Sequence, residues 1–182
     1  MTRKDRKAPF FSTFDLTVAA VFTALTVILS SFSIPVPGGH LYLCDIAICS
    51  AAILLDPFSA FVVGGVGSFL GDFFFYPAPM FVSLVTHGVQ AIIISVFSRY
   101  ILKEHRLASS VIGLITGAVV MVAGYTFGRA FIYATPEYAI IKLPFEVLQA
   151  LLGVFGGIII CYSFKIRKVF ENLKAKRMEK RK

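Results

Sequence analysis

The chain is short of charge, of cysteine and of every motif that would give it hydrolytic chemistry. Only 15% of its 182 residues are Asp, Glu, Lys or Arg, against roughly 25% in soluble domains, which is too little to cover a water-facing surface. Its three cysteines, Cys44, Cys49 and Cys161, are too few and too scattered for a disulfide framework or a structural zinc site, and they read as small packing residues. There is no G-x-x-x-x-G-K-[ST] loop to cradle a nucleotide, no H-E-x-x-H pair to hold zinc and no G-x-S-x-G turn to expose a nucleophile. ATP hydrolysis therefore has no motif to run on, no cofactor or metal is expected, and active transport would need a separate energising partner.

What fills the chain instead is apolar. It is 57% hydrophobic, with 19 Phe and 14 Gly and a mean hydropathy of +0.81, a composition suited to lipid. Runs at 14–32, 58–76, 80–101, 109–133 and 143–164 approach the ~20 residues needed to cross the hydrocarbon core. A shorter run at 43–55, bounded by His40-Leu41-Tyr42 and Asp56-Pro57, is either a short tilted span or a re-entrant segment. Charge decides between them. With six crossings and the N-terminus inside, sixteen of the 18 basic residues are cytoplasmic and only Arg129 and Lys142 lie outside, as the positive-inside rule requires.

The expected fold is an all-α membrane protein. It is a six-transmembrane-helix bundle with both termini cytoplasmic, a single integral membrane domain over 1–182 with basic tails at about 1–10 and 165–182. Outer loops are expected at 33–42 and 134–143, and the tail is read as a Lys/Arg-rich low-complexity segment. No cleavable signal peptide is expected, because PVPGGH rather than an A-x-A-like site follows the first apolar run. The basic flanks suit anionic membrane lipids rather than nucleic acid.

Ionisable groups inside a bilayer are costly and mark candidate sites. Asp72, His87, Gln90, Arg129, Glu146 and Gln149 all fall in the outer halves of their spans, and apart from Asp15 the inner halves are read as free of ionisable groups. A channel needs polar groups through both halves, whereas a pocket loaded from outside needs them in one. Arg129 would pair with Glu146 or Asp72. Aromatic residues crowd the same level: Tyr42, Phe73, Phe74, Phe75, Tyr76, Phe81, Tyr125, Tyr133 and Tyr138. An apolar pocket with a few placed polar groups is the usual form of a small-molecule site. Small residues recur four apart at Ala20/Ala24, Gly67/Gly71, Gly113/Gly117, Gly124/Gly128 and Gly153/Gly157, where helices can approach closely. Ordinary packing within the bundle accounts for most of these pairs.

Four stretches, in order and at matching spacing, carry a family resemblance. They are AVFTA in the first helix, IPVPGGHLYLCDIAICSAAILLDPFSAFVVGGVGSFLGDF across the next two, YPAPMFVSLVTHGVQA into the fourth, and VMVAGYTFGRAFIY with LPFEVLQALLG across the last two. With them the chain resembles the substrate-binding S components of energy-coupling factor (ECF) vitamin transporters, in the riboflavin, pyridoxine and hydroxymethylpyrimidine group. The resemblance implies a multi-pass protein of the prokaryotic cell membrane that captures a small vitamin from outside. It also implies an ECF module of one transmembrane coupling subunit and two ATPases as partners. Substrate contacts are then expected from His87, Gln90, Tyr125, Arg129, Glu146 and Gln149, with His40 and Tyr42 closing over the ligand. Ala20 and Ala24 match the family's A-x-x-x-A docking motif. Where Lys-Gly-x-Glu-Gly is expected the chain has His87-Gly88-Val89-Gln90-Ala91, and Glu146 stands where Asn is frequent. A small ring of the pyridoxine or hydroxymethylpyrimidine kind, or riboflavin, is the expected ligand. The competing readings are an intramembrane lipid-modifying enzyme using His87 with Asp72 or Glu146, and a stand-alone oligomeric facilitator.

Overall fold

The structure, a computed structural model, describes residues 13–179; the basic segment 1–7 and the last three residues lie outside the described residues. Among the described residues seven helices and one hairpin follow in order: α1 Thr13–Ser31, β1 Ile34–Val36, β2 Gly39–Leu41, α2 Cys44–Leu54, α3 Pro57–Phe75, α4 Met80–Tyr100, α5 Arg106–Tyr133, α6 Pro136–Ser163 and α7 Ile166–Glu179. Widened π-helical turns interrupt α3 at Val62–Val66, and occupy the ends of α5 at Arg129–Tyr133 and of α6 at Ile159–Ser163.

Helices α1, α3, α4, α5 and α6 are long and apolar enough to cross a membrane, while α2 is apolar but shorter. Its 11 residues rise about 16 Å, half of the ~30 Å hydrocarbon core. What α2 lacks in length it makes up in burial, because every residue from Cys44 to Leu54 except Ile46 is buried. It is the centre of the molecule, with Ile48, Ala51, Ala52 and Leu55 fully enclosed.

Glycine makes that packing possible. A Cβ added at Gly67, Gly71, Gly113, Gly117, Gly124, Gly128, Gly153 or Gly157 would come within 2.5 to 3.1 Å of a neighbouring helix. All four Gly pairs therefore serve packing inside the bundle. The Ala pair differs. Ala20 and Ala24 are exposed on a face of α1 that also presents Leu16, Val21, Leu25 and Ile28, while Asp15, Ala19, Thr26 and Ser30 turn inward.

Helix starts follow local chemistry. The Asp56 carboxylate accepts from the N–H groups of Phe58 (3.1 Å) and Ser59 (3.2 Å), and Pro57 takes the first helical position, where no N–H is needed. Pro136 does the same for α6.

Two expectations are corrected. The segment 134–143 is not an outer loop, since α6 starts at Pro136 and carries Lys142 inside the bundle at 1% exposure. Glu137, Lys142 and Pro144 lower the local hydropathy, but Glu137 lies exposed in the first turn and Lys142 stands 3.6 Å from Glu146. The segment read as a Lys/Arg-rich low-complexity tail from 165 is instead an amphipathic helix over Ile166–Glu179, with Arg167 and Phe170 buried against the bundle. The loop 33–42 does hold an ordered hairpin, with Ile34 opposite Leu41, Pro35 opposite His40 and Val36 opposite Gly39. Pro37 and Gly38 make the turn, and Gly38 has a φ of +80°, the positive value a Pro-Gly type II turn requires.

A candidate small-molecule site beneath the hairpin

Two polar clusters meet where the hairpin covers the bundle. In the first, Arg129 opens the widened turn of α5, and Lys142 and Glu146 stand one turn apart on α6. The Arg129 Nη2 donates to Glu146 Oε1 at 2.7 Å, and its Nη1 donates to the Gly38 carbonyl of the hairpin turn at 2.6 Å. Lys142 Nζ is 3.6 Å from the same Glu146 oxygen. The pairing left open between Glu146 and Asp72 is thus made with Glu146. Asp72 instead accepts from the Ser83 hydroxyl, to which Tyr125 donates.

The second cluster centres on Asp45, at the start of α2 and 1% exposed. Its two oxygens accept from the side-chain amides of Gln149 (2.6 Å) and Gln90 (3.3 Å). Gln149 Oε1 in turn accepts the backbone N–H of Tyr42 at 3.0 Å, so the hairpin is tied to the buried carboxylate through one amide. His87 Nδ1 lies 2.7 Å from Gln90 Oε1. Since the Gln90 amide nitrogen donates to Asp45, its oxygen must accept, and the His87 proton sits on Nδ1. The His87 ring meets Tyr125 edge-on, with centroids 5.2 Å apart.

Between the clusters and the hairpin lies a cavity of about 20 Å³ lined by His40, Tyr42, Asp72, Tyr76, Pro79, Tyr125, Arg129, Tyr133, Glu146 and Gln149. Six of the eight residues expected at the substrate line it. The other two, His87 and Gln90, do not; they sit below, joined to it through Asp45 and Gln149. Of the aromatic crowd, Tyr42, Tyr76, Tyr125 and Tyr133 face the cavity, whereas Phe73, Phe74, Phe75, Phe81 and Tyr138 are exposed on the bundle surface as interfacial residues are.

Sequence reasoning missed Asp45 and the placement of Lys142. A lone acid within an apolar run is itself a signal, and Asp45 was legible on that ground. Lys142 four residues before Glu146 gave the helical spacing of an ion pair.

Six buried side-chain atoms among the described residues have no hydrogen-bond partner: His40 Nδ1, Tyr42 Oη, Ser68 Oγ, Arg129 Nε, Tyr133 Oη and Lys142 Nζ. All but Ser68 belong to residues of the hairpin or of the cluster it covers. Burial, followed by the Asp72 charge, pushes the Tyr42 hydroxyl far above its ordinary pKa, so it is a neutral donor. Buried polar atoms are almost always bonded, and five of these six lie together at this end of the bundle. Cys44, Asp45 and His87 also bring one donor atom each within 4.8 Å of one another, but the Asp45 oxygens and His87 Nδ1 are already engaged by amides. A wider concavity, about 700 Å³ along α5 and α6, is lined by Val119, Val122, Phe127, Leu151 and similar side chains. It offers no hydrogen-bonding group but Thr126, which bonds to its own helix, so it suits hydrocarbon.

The opposite end of the bundle is polar in another way. Arg99 caps α2 by donating to the carbonyls of Leu55 (2.9 Å) and Leu54 (2.7 Å). Arg167 reaches from α7 to the Ser98 carbonyl, the Ser110 hydroxyl, Tyr162 and Glu171.

A bundle of apolar helices around polar groups that gather under a hairpin is a multi-pass membrane protein with the anatomy of a binding subunit. Comparison with known proteins says which kind. The chain belongs to the family of S components of ECF-type riboflavin transporters, whose profile matches residues 10–166. It is the substrate-binding subunit of a vitamin transporter and not an enzyme, which sets aside the lipid-modifying reading. It is also similar to a Pyrococcus woesei protein described as an uncharacterized protein in the gap 3′ region, with 32% identity over 146 residues, 79% of this chain and 96% of that protein.

Proposed function

We propose that this chain captures a small, flat, water-soluble vitamin or vitamin precursor at the outer face of a prokaryotic cell membrane, for ATP-driven uptake by an ECF module. On this reading the chain crosses the membrane six times, with the hairpin outside and both termini in the cytoplasm. The ligand is a ring of the pyridoxine or hydroxymethylpyrimidine kind, or riboflavin. Tyr42, Tyr76, Tyr125 and Tyr133 supply stacking faces, and Arg129, Glu146, Gln149 and His40 supply hydrogen bonds. His87 and Gln90 hold Asp45 and Gln149 in place.

The observation that carries the proposal is the five orphaned polar atoms at the hairpin. The cavity there holds about 20 Å³, room for roughly one water, so a ring-sized ligand enters only if the hairpin lifts. What holds it down is the Arg129 bond to Gly38, the Gln149 bond to Tyr42, the buried Leu41 side chain and the contact of His40 with Tyr76.

The test is to identify the small molecule that co-purifies with the protein by mass spectrometry, and to measure its affinity for wild type and Arg129→Ala. Replacing Arg129 should weaken binding by at least about tenfold, the ~1.4 kcal/mol of a lost charge-assisted hydrogen bond in a dry site. Equal affinity in a folded variant would refute the site.

A further inference from the structure

We infer that the ligand carries a protonated nitrogen, in its ring or as an amidine-type group on it, and that Asp72 receives that nitrogen. The inference rests on the proposed binding function and narrows its substrate class to nitrogen bases, a pyridine or an aminopyrimidine rather than a flavin. Three carboxylates, Asp45, Asp72 and Glu146, are buried at this end against two cations, Arg129 and Lys142, so one negative charge is left over. The contacts show which one. Glu146 pairs with both cations, at 2.7 and 3.6 Å. Asp45 accepts two side-chain amides and lies 3.6 Å from His87 Nδ1. Asp72 is in no ion pair among the described residues, and its side chain accepts one hydrogen bond there, from the Ser83 hydroxyl to Oδ2. His87 is close enough to act on that carboxylate, but its Nδ1 proton goes to Gln90. A buried carboxylate in that position is costly unless something cationic completes it.

The walls around Asp72 suit the same ligand. Tyr42 and Tyr76 line the cavity with it, and the negative faces of tyrosine rings attract a cation. The other two tyrosines are already engaged, Tyr133 by the Arg129 guanidinium 5.4 Å from its ring centre and Tyr125 by its hydrogen bond to Ser83. The hairpin itself brings a planar nitrogen ring to this place: the His40 imidazole lies 5.2 Å from Tyr76 and 6.2 Å from Tyr42, centroid to centroid, and its Nδ1 has no partner. A ligand ring that displaces His40 as the hairpin lifts finds the same two tyrosines. If its nitrogen is protonated it also gains a charge-assisted hydrogen bond to Asp72, roughly twice as strong as a neutral one. Arg129 lines the same cavity, but Glu146 balances its charge. Its unpartnered Nε–H is left to donate to an oxygen elsewhere on the ligand.

The experiment uses the purified full chain and two pairs of probes matched in shape but not in charge at neutral pH, benzamidine against benzamide and 4-aminopyridine against aniline. Affinities are measured by equilibrium dialysis in wild type, Asp72→Asn, Ser83→Ala and Arg129→Ala. The cation of each pair should bind wild type at least about tenfold more tightly than its neutral partner. Asp72→Asn should remove that preference while affinity for the neutral probe stays within about twofold. Ser83→Ala, which leaves Asp72 its charge, should keep the preference. Equal binding of cation and neutral probe by wild type would mean that a proton on His87 already balances Asp72, and would overturn the inference. So would a preference that survives Asp72→Asn, or one that Ser83→Ala removes just as fully. If cation and neutral probe bind equally and Arg129→Ala weakens both, the site stands and only its charge preference falls. No binding of any probe to folded wild type would sink both.

Discussion

The two ends of the bundle hold the same kinds of residues in opposite states of completion. At the basic end, Arg99 and Arg167 spend their hydrogen bonds on backbone carbonyls and hydroxyls of neighbouring helices, and Lys174 pairs with Asp15 at 2.7 Å. The cleft there holds about 170 Å³, yet among the described residues no buried side-chain atom of its lining lacks a hydrogen-bond partner. Beneath the hairpin the cavity is far smaller and five buried atoms lack partners. The basic end uses its charges to close the fold, whereas the hairpin end, on the proposed function, keeps them for a ligand.

The largest effect should come from a third surface that belongs to neither end. Ala20→Trp or Ala24→Trp places a bulky side chain on the exposed strip of α1, where a coupling subunit would dock. Uptake by the complete transporter should be abolished, while ligand affinity of the isolated chain stays within about twofold because the strip is remote from Arg129. Parallel loss of folding, binding and uptake would mean that the strip packs inside the bundle. Uptake by this chain without any ATPase would instead favour a stand-alone facilitator.

Within the comparison itself, Glu146→Ala should do the most damage. It leaves Arg129 and Lys142 buried with no carboxylate between them, a change of about 3 to 5 kcal/mol in stability, with ligand binding lost as well. Thermal unfolding in detergent measures the first and equilibrium dialysis the second. An unchanged melting temperature would show that water already reaches these groups.

Arg167→Met is the matching change at the basic end. It removes the guanidinium bonds to the Ser98 carbonyl and to the Ser110 hydroxyl, which keeps Ser98 and Tyr162 as partners, and should cost about 2 kcal/mol. Protease should then cut α7 faster, and ligand affinity should hold within about twofold. A large loss of affinity would mean that the two ends are coupled and that their contrast is only local.

The sequence made the long apolar helices legible, and the depth shared by Arg129, Glu146 and Gln149, because hydropathy and charge placement are averages over many residues. What it hid depends on single contacts. Lys142 dilutes a hydropathy window and reads as a loop residue; only Glu146 one helical turn later explains its place inside α6. Asp45 lies at the edge of an apolar run, and its role needs amides from Gln90 and Gln149, distant in the chain. The same contacts place His87 and Gln90 beneath the cavity lining, joined to it through Asp45. Helix α7 was hidden because a run of Lys and Arg looks solvated until Arg167 and Phe170 are seen to pack.

The smallest expected effect tests whether the basic end is held only by local chemistry. Asp56 caps α3 through two backbone N–H groups and the Ser59 hydroxyl. Partial burial raises its pKa, but those hydrogen bonds and the nearby Arg99 charge outweigh burial and hold the carboxyl below its ordinary value. A depressed pKa in the folded chain means that the contribution is complete above the unfolded value of about 3.9 and disappears as pH falls through the lower folded one. Asp56→Ala should therefore cost about 1 kcal/mol at neutral pH. Asp56→Asn keeps a capping oxygen that does not titrate. The stability difference between wild type and Asp56→Asn should then shrink as pH drops below about 4, with ligand affinity at neutral pH unaltered. A difference that stays constant down to the acid limit would show that the charge of Asp56 contributes nothing and that the cap acts through geometry alone.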